Sequence, residues 1–266
     1  MINVGADSVS AQIGQIQQKE DNLFEKLASG KKVNSALDDA AAQQIIDRFT
    51  TQVEGNRQAI KNLYDGISVA QIAEGGLSTI NDNVNRIREL SLQSGSGILN
   101  DSDRRAIQSE ITQLQKNIVQ SIEQTNFAGK PLLSDAGSLE FQAGVNANQS
   151  ISVNTQDVAA QLNDVFAIDI TSGTSVEDAL NAADSALESI GGARGEFGAS
   201  LNRLESTARS LVKGNVNAAE AKSRIESVDY AQAASERAIN DIRSQASLTV
   251  QAQANQQQSQ VLSLLS

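Results

Sequence analysis

The chain has 266 residues, enough for two domains, yet only 3% are aromatic, with no Trp, two Tyr and six Phe. Burial must therefore come from Leu, Ile, Val and Ala in narrow seams rather than from a core built on large rings. The formal charge is −11, from 32 acidic against 21 basic residues, and no Lys/Arg run is long enough to track a phosphate backbone, so nucleic acid is not an expected partner.

Histidine and cysteine are both absent. Disulfides are excluded, and so are the commonest general base, the commonest metal ligand and any Ser-His or Cys-His nucleophile. No catalytic constellation, cofactor site or metal site is expected. The N-terminus MINVGADSVS lacks a basic stretch followed by an apolar core, so it does not read as a secretory signal. No apolar run approaches the roughly 20 residues that span a bilayer. By composition alone the chain reads as cytoplasmic.

In chain order, Val9, Ile13, Ile16, Glu20, Leu23 and Leu27 fall at steps of four and three, a thin coiled-coil seam with one polar member. A helix this short is marginal alone, and its apolar stripe needs a partner. Ser29-Gly30 break it. Beyond the break, Lys31-Lys32 and Asp38-Asp39 flank Asn34-Ser35, which could cap a helix whose first turns carry the two aspartates.

Ile60, Leu63, Ile67 and Ala70 resume heptad steps, and Leu77, Ile80, Val84 and Ile87 restart them beyond Gly75-Gly76. One long helix with a local irregularity is expected, ending near Ser94–Gly97. Asp101 or Ser102 starts a third helix with seam Ile107, Ile111, Leu114 and Ile118, and Gly129-Lys130-Pro131 turns the chain out of helix.

Between Leu132 and Ile170 the period becomes two. Leu139/Phe141/Ala143, Ile151/Val153 and Phe166/Ile168/Ile170 each alternate with polar or small residues, which predicts short strands or hairpins near 132–170. Thr174 with Glu177 is a capping-box signal for the next helix. Its seam runs Leu187, Ile190, Arg194, Phe197, Leu201, Leu204, Ala208 and Leu211. Glycines 191, 192, 195 and 198 inside it would permit close approach of a neighbouring backbone, and Gly214-Asn215 marks an expected break or bend.

From Ser227 the composition thins to Ala, Ser and Gln, and a segment with so few bulky side chains cannot fold alone. The fold class expected is mainly α: a long antiparallel helical bundle or coiled coil with a small β-hairpin region, whose ends pair with each other or with other copies.

Several strings resemble bacterial flagellins. Leu27 to Phe49, LASGKKVNSALDDAAAQQIIDRF, is similar to LSSG-x-x-x-NSA-x-DDAA; Asp65–Gln71 to NDGIS-x-AQ; Arg86–Gln93 to QRVRELAVQ. Thr125–Lys130 resembles TQFNG, Phe141–Gly144 FQ-x-G, Ile190–Glu196 IG-x-ARGE, Ser223–Glu226 SRIE, and Val261–Leu265 the terminal VLSLL. The chain departs from the pattern in starting at Ile2-Asn3, ending Leu-Leu-Ser and carrying Gly75-Gly76 where one glycine is usual.

This resemblance implies a terminal coiled-coil layer from residues 1–32 and 232–266, and a core helical layer from 33–231 with no outer domain inserted. It implies a structural filament subunit, secreted without a cleaved signal to the bacterial flagellum and polymerised for motility, its ends ordering on assembly. The implied partners are other copies of the chain, the flagellar export apparatus with a secretion chaperone, and the filament cap and junction proteins. Arg86, Leu90 and Glu110 match positions by which many flagellins engage a vertebrate Toll-like receptor; physics alone reads them as a solvated face with an Arg86–Glu89 pair. Asn34, Asp38 and Asp39 are elbow or assembly candidates; as a cation site the aspartates fail, because adjacent helix residues do not face each other. Val261, Leu262, Leu264 and Leu265 are candidates for packing or chaperone docking, too few to anchor in a membrane. The alternatives are a hook–filament junction protein and a non-filament secreted coiled-coil protein.

Overall fold

The computed structural model describes residues 4–171 and 174–265, with side chains described at 11, 13–171, 174–257 and 260. Helices α1 (Val4–Ser29), α2 (Ala40–Ser94) and α3 (Asp101–Gln124) come first. A β part follows: β1 (Asn126–Phe127), β2 (Lys130–Pro131), β3 (Ser134–Gln142) and β4 (Ser150–Asp157). Two single turns, α4 (Val158–Gln161) and α5 (Asn163–Phe166), lead to the long helices α6 (Val176–Glu226) and α7 (Tyr230–Leu265). The chain divides into two compact units, one of the two chain ends up to Val53 and from Val216, the other of Glu54–Asn215.

In the Glu54–Asn215 unit, α2 buries Leu63, Ile67, Ala70, Ala73, Leu77, Ile80, Val84 and Ile87. Ala73 carries the stripe across the expected irregularity, so α2 is continuous through Gly75-Gly76. Gly76 is a close-approach position: a Cβ there would collide with the Thr125 side chain and meet Leu133. Gly66 serves Phe141 and Leu204 in the same way, and Gly55 serves Val145.

That role was expected of the α6 glycines. At 191, 192, 195 and 198, however, a Cβ would meet nothing within 4 Å. Helix α6 packs instead through Ala179, Ala183, Ala186, Ile190, Ala193 and Phe197, alanines giving the narrow face that glycine was assigned. It also runs unbroken through Gly214-Asn215. One helical glycine costs about 1 kcal/mol, too little to break a 51-residue helix with buried residues on both sides of it, Ala208 and Ala218.

Helix α3 is capped by Asn100, whose side chain accepts from Ser102 N–H and Asp103 N–H while Asp103 accepts from Asn100 N–H. Its seam buries Ile107, Ile111, Ile118 and Ile122. Ala128 (φ 50) and Gly129 (φ 79) then make the two-residue turn between β1 and β2, both left-handed as a tight hairpin requires. Strands β3 and β4 pair antiparallel, with Leu139 opposite Val153 and Phe141 opposite Ile151. In β4, Ile151, Val153 and Thr155 alternate inward.

The third expected strand, Phe166–Ile170, does not form. Two glutamines of α3 hold this segment from the side: Gln115 Nε2 donates to the Val165 carbonyl at 2.8 Å, and Gln108 Oε1 accepts from Ile170 N–H at 2.9 Å. Side-chain amides thus satisfy a backbone that would otherwise need a ladder, while Val165, Ile168 and Ile170 are buried. The α6 cap also lies one residue beyond the expected Thr174–Glu177 box. Ser175 Oγ accepts from Asp178 N–H and donates to the Asp178 carboxylate, whereas Thr174 Oγ1 accepts from Asp169 N–H.

In the unit of the chain ends, α1 packs against α7. Val33, Ile46, Val53, Ala218 and Ala233 are its buried apolar residues among those described. No helix among the described residues is long and apolar enough to cross a membrane.

Candidate functional site

The elbow between α1 and α2 is a tied loop. Gly30 adopts φ 70, open to glycine and strained for other residues, and a Cβ there would lie 2.8 Å from the Tyr230 hydroxyl. Lys31 and Ser227 form an isolated antiparallel bridge. Lys32 N–H donates to the Glu226 carbonyl at 2.6 Å and Val228 N–H to the Gly30 carbonyl at 3.1 Å. Across this bridge Lys31 Nζ meets Glu226 Oε1 at 2.8 Å, and Lys222 approaches the other oxygen at 3.6 Å. The Lys31 hydrogen bond, with the nearby Lys222 charge, holds the Glu226 carboxyl below its ordinary value.

Asn34 and Asp38 are in direct contact: Asp38 Oδ2 accepts from Asn34 N–H at 3.0 Å and Ser35 N–H at 3.1 Å. These two bonds pull the Asp38 carboxyl below the usual aspartate range. The expected cap at Asn34 or Ser35 is displaced, because α2 begins only at Ala40 and Asp39 caps it, accepting from Ala41 N–H and Ala42 N–H. The neighbouring aspartates thus do different things, one closing a turn and the other starting a helix. Asp229 repeats the second role for α7, accepting from Ala231 N–H and Gln232 N–H. That cap was missed in sequence, although an aspartate just ahead of an alanine-rich helix was its signal.

A second cluster lies on α2 and α3. Arg86 donates to Glu110 through Nε at 2.9 Å and to Glu89 at 3.0 Å, which raises the basicity of its guanidinium, Glu110 contributing most. The structure therefore joins Arg86 to Glu110 across two helices. Leu90 does not share their surface: it is 2% exposed and belongs to the core, whereas Leu92 two residues on is half exposed. Two further interhelix pairs were not anticipated as pairs, Arg88 with Asp184 at 2.6 Å and Arg194 with Glu74 at 2.7 Å, both tying α2 to α6. Spacing places Arg194 in the seam, but its side chain is 38% exposed, which is why the position carries a charge.

Val261, Leu262, Leu264 and Leu265 fall in the described α7 backbone, and their side chains lie outside the described residues. Further up the α1–α7 pair, Phe24, Ile239, Leu248 and Val250 are exposed and Ile242 is 67% exposed. The Arg237 guanidinium lies 5.7 Å from the centre of the Phe24 ring, partial cover for one of them. No group of His, Cys, Asp or Glu among the described residues is arranged to hold a metal ion.

Residues 2–138 match the family model for the bacterial flagellin N-terminal helical region, and residues 180–265 that for the C-terminal helical region. A flagellin of Halalkalibacterium halodurans is 37% identical over 245 residues, covering 91% of this chain and 90% of that one. A flagellin of Bacillus subtilis is 36% identical, covering 91% of each. The flagellar filament 30.7 kDa core protein of Treponema maltophilum is 35% identical, also covering 91% of each. Among solved structures, Bacillus cereus flagellin superposes with TM-score 0.52 at 24% identity, covering 57% of this chain and 88% of that one. A putative flagellar hook-associated protein from Vibrio parahaemolyticus gives TM-score 0.62 at 16% identity, covering 71% and 100%. At these identities the two structures establish the shared fold.

Proposed function

The chain belongs to the bacterial flagellin family as a structural subunit of the flagellar filament, and from that premise we propose how its parts serve assembly. Residues 1–32 with 232–266 form an inner coiled-coil layer and residues 33–231 the core layer around it, with no outer domain between them. The observation that carries this reading is the set of uncovered apolar side chains on the α1–α7 pair: Phe24, Ile239, Ile242, Leu248 and Val250 are exposed on two helices that bury little else among the described residues. Burying a side chain of this size stabilises by about 1.5–3 kcal/mol, and in a helical polymer neighbouring copies supply that burial through contacts that repeat without closing.

The tied elbow, with Asn34, Asp38 and Asp39, fixes how the chain leaves one layer for the next. Export through the flagellar channel in an unfolded state fits a chain with no cysteine and a single proline, which has no disulfide to open and few slow isomerisations. Val261, Leu262, Leu264 and Leu265 at the end of α7 are the docking point for a secretion chaperone, and cap and junction proteins meet the filament ends. The joined Arg86–Glu110 pair is a planar, charged contact suited to a receptor of the vertebrate innate immune system.

Seeding purified monomer with filament fragments tests the reading by negative-stain microscopy. Long helical filaments are expected. Short caps alone would assign the chain to the hook–filament junction, and no polymer at all would remove the assembly role.

A further inference from the structure

Two features of the Glu54–Asn215 unit have no partner among the described residues. Ile98, in the loop between α2 and α3, is 92% exposed, more than any other large apolar side chain described in this unit. The loop that carries it is tied down: Gly95 N–H donates to the Leu92 carbonyl, Leu99 N–H to the Ser96 carbonyl, and Arg104 to the Ser94 carbonyl at 2.7 Å. Leu99 turns inward against the core. A loop anchored at both ends that still projects an isoleucine is a preformed knob, with little ordering left to lose on binding.

The second feature is a groove of about 770 Å³ between α2 and α6. Tyr64, Ile67, Ala208 and Val212 supply its apolar surface, and Arg209 and Lys213 its cationic edge. Glu205 occupies Arg209, while Lys213 makes no ion pair among the described residues. On the knob side, Asp101 follows Ile98 by three residues, is exposed, and likewise makes no ion pair among the described residues. An apolar knob beside a free carboxylate matches an apolar groove beside a free ammonium.

We propose that Ile98 of one copy seats in the Tyr64–Val212 groove of the next copy, with Asp101 paired to its Lys213. One copy cannot satisfy itself. At 1.5 Å per residue, Tyr64–Gln71 and the Ile98 loop stand roughly 35–50 Å apart along the rigid α2. Knob and groove are different patches, so the contact is heterologous: each copy gives one and receives one, and the row extends with that offset. This proposal rests on the filament reading and adds a pair of surfaces to it.

Because the chain has no native cysteine, a full-length Ile98→Cys/Val212→Cys variant reports the contact directly. Seeded, oxidised and run on a non-reducing gel, it is expected to give a ladder of cross-linked dimers, trimers and longer species. Polymer without a ladder overturns the proposal, as does a link formed inside unpolymerised monomer. Charge reversal provides a second readout and decides the matter if the cysteine variant does not assemble. Asp101→Lys and Lys213→Asp should each slow seeded elongation tenfold or more, and the double reversal should recover most of the loss. Full-rate elongation by both single variants contradicts the pairing, and loss without recovery gives the groove to some other partner. Failure of the unsubstituted chain to polymerise would count against the filament reading instead.

Discussion

Lys31 Nζ lies 2.8 Å from Glu226 Oε1, closing a salt bridge over backbone hydrogen bonds that join residues nearly two hundred positions apart in sequence. The ends of α1 and α6 are fastened to each other at the point where each gives way to a loop. The half-exposed lysine limits what the ion pair itself can add, at most about 1 kcal/mol. Its value is positional.

A pH dependence follows from that contact. The Glu226 carboxyl is held below its ordinary 4.5 in the folded chain. A depressed carboxyl contributes stability that is present above the unfolded value and is lost as pH falls through the folded one. Protection of the Lys32 and Val228 amides, measured as exchange relative to the intrinsic rate, should therefore fall as pH drops below 4.5. In Glu226→Gln that step should be missing, with lower protection at neutral pH. An identical pH profile in the variant would detach Glu226 from the bridge.

At the elbow, Asp39→Ala removes a helix cap and should lower monomer stability by about 1 kcal/mol, with Asp39→Asn close to neutral. Asp38→Ala frees two backbone N–H groups in the turn before α2 and should alter the local chain path more than the melting of the Glu54–Asn215 unit. Both alanine variants are expected to slow seeded polymerisation by more than their effect on monomer melting. Melting and polymerisation that fall in step would make the elbow part of a core only.

Leu90 and Leu92 separate packing from surface. Leu90→Ala hollows the core at a 2% exposed position and should cost about 2–5 kcal/mol. Leu92→Ala should cost less than about 0.5 kcal/mol. A receptor reporter assay on Leu90→Ala would read folding rather than contact. Arg86→Ala and Glu110→Ala leave the core intact, and unchanged signalling with either would remove the pair from the receptor contact.

Glycines predict opposite signs on two helices. Gly191→Ala and Gly195→Ala place a methyl in open space and should stabilise the monomer by about 0.5–1 kcal/mol each. Gly76→Ala collides with Thr125 and should destabilise it. Chemical denaturation of the three single variants checks all of this, and a stabilised Gly76→Ala would contradict the packing of α2 on the β1–β2 region.

The helices were legible because their heptad steps are a property of local sequence: Ile80, Val84 and Ile87, or Ile190, Phe197 and Leu204, report their own burial. Alanine does not. Ala73, and Ala179, Ala183, Ala186 and Ala193 of α6, lie on core faces that read as neutral in sequence, so spacing alone interrupts α2 and assigns the close face of α6 to its glycines. The Phe166–Ile170 segment misled for another reason. Its alternation is real, but partners fifty to sixty-two residues away, Gln115 and Gln108, decide whether it is strand or loop. The same holds for the candidate contacts. Arg86 with Glu89 could be read from spacing, whereas Arg86 with Glu110 and Lys31 with Glu226 depend on which helices meet.

The central claim is that the exposed apolar side chains of the α1–α7 pair exist to be covered by other copies. An image reconstruction of filaments grown from this chain tests it most directly. Phe24, Ile242, Leu248 and Val250 should lie in an inner layer, each packed against side chains of neighbouring subunits. A filament in which these four side chains face solvent would contradict it.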